Sequence, residues 1–342
     1  MKTGVIGSSL SGKTTLFNAL SGSEIPVGTG TREIHIANVK VPDERINQLT
    51  RVYEPKRTIY AEIDFVDFGG GFDSKTDAQT VAKMREMDCL ALVLGAYQTD
   101  DEKDMETELK NLLSEMIIID LMVCEKRIER LIKESKKDLE YSTLVRCKEA
   151  LENENFISKL ELSDEELKAV SQFRFFTLIP IIVILNVSES HFNQVKYSTV
   201  ENICTNYGMF YLYLSGSIEM EIASLPPEDQ KDFLADLGVT ENAKNRFIRE
   251  AYDKMKLISF FTAGKDEVKA WTIKNGTVAQ KAAGKIHSDI ERGFIRAEVM
   301  SYDDLAANSF DESKVKSAGK LRLEGKNYTV KYGDIIVYRF NV

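Results

Sequence analysis

Near its start the chain reads GSSLSGKT at residues 7–14, directly after a short apolar run at 2–6 and directly before a stretch at 15–20 that continues as a helix. No other feature restricts the fold as strongly. The pattern GxxxxGK[ST] needs a strand that turns sharply into a helix N-terminus, because its glycines let the backbone wrap a polyphosphate so that successive amides donate to its oxygens. In that arrangement Leu10, Ser11, Gly12, Lys13, Thr14 and Thr15 surround the phosphates. Lys13 reaches the β and γ groups, and Thr14 offers its hydroxyl to Mg²⁺. Gly22 is placed to end the helix.

The remaining sequence supplies the sheet that such a loop requires. Strand-like runs recur at 2–6, 61–66, 89–97, 178–185 and 209–214 with helical or loop stretches between them, which predicts an open, mainly parallel sheet covered by helices, an α/β fold. About 80 residues separate the third run from the fourth, where a crossover helix needs only about a dozen. Apolar residues from Met105 to Ile132 fall at helical spacing, the polar stretch ESKKDLEYS follows, and a second helical segment runs through 150–156, so an α-helical hairpin is inserted here. Beyond it, Ser163 with Glu166 three residues later reads as a capping box. The last 86 residues alternate as strands do (VKAWTI, FIRAEVM, YTVKY, DIIVYRF), with turns at Asn275-Gly276 and Gly333-Asp334 and a short helix over 278–285.

Composition narrows the class further. With 342 residues, 43% hydrophobic and 29% charged, 6 Pro and 20 Gly, the chain is a folded protein of two or three domains, not a disordered or fibrous one. The longest apolar run is eight residues, against the roughly 20 of a membrane span, and no signal-peptide pattern opens the chain, so the expected location is cytoplasmic with no membrane partner. Cys89, Cys124, Cys147 and Cys204 form no CxxC pair, and with three histidines in the whole chain they read as reduced core thiols. Net charge is −9, unevenly placed: residues 257–342 carry 14 Lys/Arg against 11 Asp/Glu, and the first 256 carry 31 against 43. A mildly basic C-terminal module can touch RNA locally while the acidic body discourages non-specific coating.

A phosphate loop needs a metal-side carboxylate on a neighbouring strand, and IDFVDFGG supplies Asp67 with Gly70 in the DxxG arrangement. Asp67 would hold Mg²⁺ through water and the Gly70 amide would sense the γ phosphate, so Lys13 and Gly70 are the expected catalytic positions. Thr29 and Thr31 lie in the intervening loop, and Thr31 is the favoured third metal ligand. The run IPIIVIL ends at Asn186-Val187-Ser188-Glu189, where a guanine-specific protein would have Asn-Lys-x-Asp. That Asp accepts from guanine N1–H and its exocyclic amine. Here the positions hold Val187 and Glu189, so the guanine clamp is not intact and ATP is the expected nucleotide. Ser215, at the end of the next strand, can bring a backbone amide to the base.

VPDERINQL, NVSE, IEMEIASLPPEDQKDFLADLGV, FFTAGKDEVKAWTI, AAGKIHSDIERGFIRAEVMSYDDL, EGKNYTVKYGDII and the terminal RFNV closely resemble the YchF subfamily of Obg-like ATPases, in order along essentially the whole chain. The resemblance implies a P-loop domain of the translation-factor class at 1–100 and 176–256, an inserted helical hairpin at 101–175, and a β-grasp (TGS-like) domain at 257–342. It also implies preference for ATP over GTP, slow hydrolysis with Mg²⁺, and association with ribosomes. Three departures bear on turnover: Leu10 stands where the family has the Asn that helps hold a monovalent cation, GFDSKTDAQT replaces a Gly- and Lys-rich switch, and AYQTDDEKDMETEL lacks a histidine sometimes assigned a catalytic role. The sequence therefore argues more directly for binding than for hydrolysis. His287 reads as structural, and the basic cluster Lys126, Arg127, Arg130, Lys133, Lys136 and Lys137, interleaved with acids, reads as a solvated helix face. Two rival readings stay open: a non-hydrolysing ATP-dependent binding module, and a GTPase with an altered base-reading motif.

Overall fold

In the computed structural model, which describes residues 1–28, 33–73, 75–99 and 101–341, the strand ahead of the glycine-rich loop, β1 (Lys2–Gly7), is buried at every position after its first. Strands covered on both faces belong in the middle of a parallel sheet. The elements that follow are α1 (Lys13–Ser21), β2 (Ile34–Lys40), α2 (Glu44–Tyr53), β3 (Arg57–Ile59), β4 (Glu62–Phe68), α3 (Ala78–Met84), β5 (Cys89–Leu94), α4 (Glu102–Lys133), α5 (Leu139–Glu152), β6 (Ile181–Asn186) and β7 (Phe210–Leu214). One sheet has the order β2-β4-β1-β5-β6-β7, with β4, β1, β5, β6 and β7 mutually parallel. Both β5 and β6 are buried throughout, which is why CLALVL and IIVILN are continuous rather than alternating apolar runs. Chain order reverses at β1, between β4 on one side and β5 on the other, and a crevice opens at the carboxyl ends of strands at such a switch point. The glycine-rich loop leaves β1 there. Helix α1 ends where expected, at Gly22 (φ 72°), whose N–H donates to Asn18 O at 2.8 Å.

The insertion between β5 and β6 is a helical hairpin, with one correction. Its second helix is α5, Leu139–Glu152, and not a segment running through 150–156. Capped by Asp138, which accepts from Tyr141 N at 3.1 Å, it starts eleven residues earlier than the apolar spacing alone suggested, so the last four residues of the polar stretch ESKKDLEYS are helix. The capping box at Ser163 is present in both halves: Glu166 N donates to Ser163 Oγ and Ser163 N donates to the Glu166 carboxylate. All four cysteines are buried and unbridged. In the basic cluster, Arg127 pairs with Glu140 and Lys136 with Glu134, as a solvated face would. One charged pair is different. Asp120 of α4 is fully buried; Arg85 Nη2, from the C-cap of α3, reaches its Oδ1 at 2.8 Å, and Thr177 N and Oγ1 both donate to its Oδ2 at 2.9 Å.

Two compact units result, Met1–Val39 with Asp64–Glu250, and Lys40–Ile63 with Ala251–Val342. Residues 40–63, which the sequence reading put in the first domain, thus pack in the second, and the later boundary falls at 251 instead of 257. The reason is β3: it pairs in parallel with β9 (Glu267–Lys274) and forms the edge of a second sheet. With β8 (Leu257–Ala263), β10 (Phe294–Ser301), β11 (Arg322–Glu324) and β12 (Asp334–Phe340), that sheet has the order β11-β10-β12-β8-β9-β3. The helix Ala279–Ile286 packs Ala279 and Ala282 onto this mixed sheet, the helix-on-sheet packing of a β-grasp domain. Helix α2 explains VPDER: Asp43 caps it by accepting from Arg45 N, and holds the Arg45 guanidinium 3.7 Å from the Tyr332 ring centroid. His287 is structural, its Nδ1 accepting from Asp289 N at the start of the helix Ser288–Arg292. Among the described residues no helix is long and apolar enough to cross a membrane.

Removing one partner of a buried ion pair strands the other charge. Arg85→Ala should therefore cost about 3 kcal/mol or more in urea denaturation, and a loss below about 1 kcal/mol, the value of an exposed pair, would show that Asp120 does not depend on it.

Candidate functional site

Because β1, β4, β5, β6 and β7 run in the same direction, their carboxyl ends deliver the loop at 7–14, Asp67, the turn at 95–98, Asn186 and the Ser215-Gly216 turn to one edge of the sheet. Lys13 opens α1 and is 6% exposed, with its Nζ donating to Ser8 O at 2.6 Å. Burial lowers its pKa to about 8 against the opposing pull of Asp67 and Glu108. Thr14 Oγ1 donates to Asp67 Oδ2 at 2.9 Å. Asp67 is fully buried, and burial pushes its pKa up despite the Thr14 bond and the nearby Lys13 and His35. Its second oxygen, Oδ1, has no hydrogen-bond partner among the described residues. A buried carboxylate oxygen left without a donor, beside a hydroxyl, suits a hard divalent cation, directly or through water.

Two cavities meet at this edge. The first, of about 250 Å³, is lined by Leu10, Gly12, Lys13, Thr14, Thr15, Asp67 and Gly70, and also by Glu33, His35 and Tyr97. A second, of about 590 Å³, is lined by Asn186, Val187, Glu189, Gly216 and Ser217. Gly12, Thr15 and Tyr97 border both, so the two form one groove, whose ends correspond to the phosphate and base positions expected from the sequence. Asn186 joins the ends. Its Nδ2 donates to Ser11 O at 3.1 Å and its Oδ1 accepts from Gly216 N at 2.9 Å. Gly12 must be glycine for this: a Cβ there would lie 2.1 Å from Asn186 Nδ2.

Not every expected residue faces the groove as the sequence suggested. Val187 is 2% exposed and belongs to the hydrophobic core, so only its edge borders the base end. Ser11 and Ser215 are each 1% exposed; Gly216 and Ser217 line the cavity where Ser215 was expected. Glu189 is exposed at the start of the turn Glu189–His191. Thr29 and Thr31 lie outside the described residues. Glu33, His35, Tyr97 and Gln98 were missed. Tyr97 and Gln98 directly follow a strand whose end had to meet the loop, which was a usable signal, whereas nothing in EIHI marked His35 as facing Asp67.

Residues 2–126 match the family model described as 50S ribosome-binding GTPase, and residues 257–341 match the YchF-GTPase C-terminal model, described as a protein of unknown function. The ribosome-binding ATPase YchF of Haemophilus ducreyi is 37% identical over 361 positions, covering 100% of this chain and 99% of that protein. The protein of the same name from Bacillus subtilis is 34% identical with 100% of both covered. The structure of the Schizosaccharomyces pombe YchF GTPase aligns with a TM-score of 0.86 at 27% identity, over 99% of this chain and 97% of that one.

Among the described residues Lys13 is the one Lys or Arg that lines the groove, which makes it the expected countercharge for a polyanion. Lys13→Ala should weaken ATP binding by about 10- to 150-fold, the worth of a charge-assisted hydrogen bond, in calorimetric titration of a protein that still unfolds cooperatively. Because only the ammonium form meets phosphate, wild-type affinity measured without divalent metal should fall as pH rises through about 8, with proton uptake on binding. An affinity unchanged by the mutation would remove Lys13 from the site.

Proposed function

We propose that this chain, which belongs to the YchF family, is a cytoplasmic, slowly hydrolysing, Mg²⁺-dependent ATPase that works as a nucleotide-operated switch on the ribosome. The observation that carries the nucleotide part is the pairing of a buried Lys13 and an orphaned Asp67 oxygen at one end of the groove with Glu189 at the other. Glu189 stands where guanine recognition needs the shorter Asp, while adenine presents an acceptor at N1 and asks for no carboxylate at all. Thr14 and Asp67, with Thr31 as the expected third ligand, would hold Mg²⁺, which when bound neutralises charge on the β and γ phosphates. Lys13 meets the same phosphates from the loop, and Gly70, in a left-handed conformation (φ 82°) on the cavity wall, presents the switch backbone. Slow turnover belongs to this reading because no glutamine follows Gly70 in GFDSKT to orient an attacking water.

Relatives carrying the name ribosome-binding ATPase support the partner, and charge agrees with it. Counted over the two structural units, the one with 251–342 and 40–63 carries 21 Lys/Arg against 16 Asp/Glu, and the other 24 against 38. The basic unit would address RNA while the acidic one limits non-specific contact. Guanine preference is the competing reading, favoured by the name GTPase that the matching family model and the Schizosaccharomyces pombe protein both carry.

Titration separates the two. ATP should bind at least tenfold more tightly than GTP, the worth of a lost charge-assisted pair, and Glu189→Asp should narrow the gap. Val187 is left alone, since a lysine there would be buried in the core. Equal affinities would sink the ATP reading. For the partner, co-sedimentation with ribosomes should depend on whether ATP or ADP is loaded and weaken with salt, and single-turnover hydrolysis, below about 1 s⁻¹ alone, should accelerate on ribosomes. No sedimentation at low salt and no acceleration would leave an ATP-binding protein with another target.

A further inference from the structure

Leu10 is the one non-glycine residue of the phosphate loop in a left-handed conformation, at φ 63°. Glycine takes that conformation freely and leucine avoids it. Packing does not hold it there, because the residue is 61% exposed. Its carbonyl is what is held. The Tyr97 hydroxyl donates to Leu10 O, and Gln98 Nε2 donates to the same oxygen at 2.6 Å and to the Tyr97 hydroxyl oxygen at 3.2 Å. Both donors come from the turn after β5, which lies close against the loop because Gly95 has no side chain; a Cβ there would sit 3.2 Å from Ser11 Cα and from Gln98 Nε2. The Leu10 carbonyl and the Ser11 N–H share one planar peptide and point opposite ways, so fixing the first aims the second. Among the described residues that amide is committed only to a long 3.3 Å bond to Ser8 O. Tyr97 also borders both halves of the groove, so a nucleotide lying along it passes beside the ring.

We propose that Tyr97 and Gln98 are positioning residues for the phosphate loop: by gripping the Leu10 carbonyl they keep residue 10 left-handed and hold the loop in the shape that receives a triphosphate. The clamp does for leucine what a glycine at this position would do without help. It rests on the reading that the loop binds ATP.

The test is a cycle of four proteins: wild type, Tyr97→Phe with Gln98→Leu, Leu10→Gly, and all three changes together, each titrated with ATP and Mg²⁺ in a calorimeter and each checked by thermal melting. Removing two donors to one carbonyl should weaken ATP binding about tenfold in the Leu10 protein. In the Leu10→Gly background the same removal should cost less than about twofold, because glycine no longer needs the grip. A purely structural role for the two side chains predicts equal losses in both backgrounds, and that outcome, or no loss in either, overturns the clamp. Should the variants melt far below wild type, Tyr97→Phe alone, which keeps the ring and deletes one hydroxyl, carries the same comparison. If wild type binds no ATP, the assignment of the loop itself falls and the clamp with it; if wild type binds and the variants bind equally, only the clamp falls.

Discussion

One buried amide sets the geometry on which the groove depends. Asn186 stands at the end of β6 with 4% exposure, giving a hydrogen to the carbonyl of Ser11 and taking one from the amide of Gly216. Three chain segments that are distant in sequence are thereby fixed to one side chain, and both of its ends are satisfied inside the protein, where an unpaired amide would cost about 1 to 3 kcal/mol. The parallel register of β5, β6 and β7 brings it there. Gly12 has to be bare to let it in. Because the same residue touches the phosphate loop and the turn that borders the base end, the two ends of the groove are not independent parts. Their spacing is fixed by the width of one asparagine.

Around that frame the electrostatics are unfinished. Lys13, Asp67 and Glu108 are all buried far enough for desolvation to be the largest influence on their ionisation, lowering the lysine and raising both acids. Burying charges this way is costly, and arrangements of this kind concentrate where a protein meets a ligand. A polyanion beside Lys13 and a cation beside Asp67 would each restore what burial took. Glu108 adds a link to the insertion, since it lies on α4 and accepts from Gly95 N at 3.3 Å, in the turn that also carries Tyr97 and Gln98.

The sheet and the phosphate loop were legible because both are local: an unbroken apolar run marks a strand buried on two faces, and GSSLSGKT fits one kind of turn. What could not be read was long-range. Val187 was identified by its offset from Asn186, but offset does not say which way a side chain points, and after β6 the chain turns so that Val187 faces the core and Glu189 faces out. His35 reaches the cavity only because β2 lies beside β4. RTI at 57–59 is too short to register as a strand at all, and its partner lies about 210 residues downstream. The second helix of the hairpin was misplaced because its apolar spacing is weak at the start, where Asp138 and not hydrophobic periodicity decides the boundary.

That distant pairing of β3 with β9 has a meaning for the way the molecule is made. During synthesis residues 40–63 leave the ribosome well before 251–342, yet the sheet edge they belong to does not exist until the later segment emerges. For the time it takes to add about 200 residues, on the order of ten seconds or more, α2 carries Ile46 and Leu49 with nothing to bury them and β3 offers an unpaired edge. Meanwhile the segments that flank 40–63, β2 and β4, already have each other as neighbours in the first sheet. The early unit can close on itself and hold 40–63 as a tethered excursion, so that β3 is an edge delivered in advance of the sheet it belongs to.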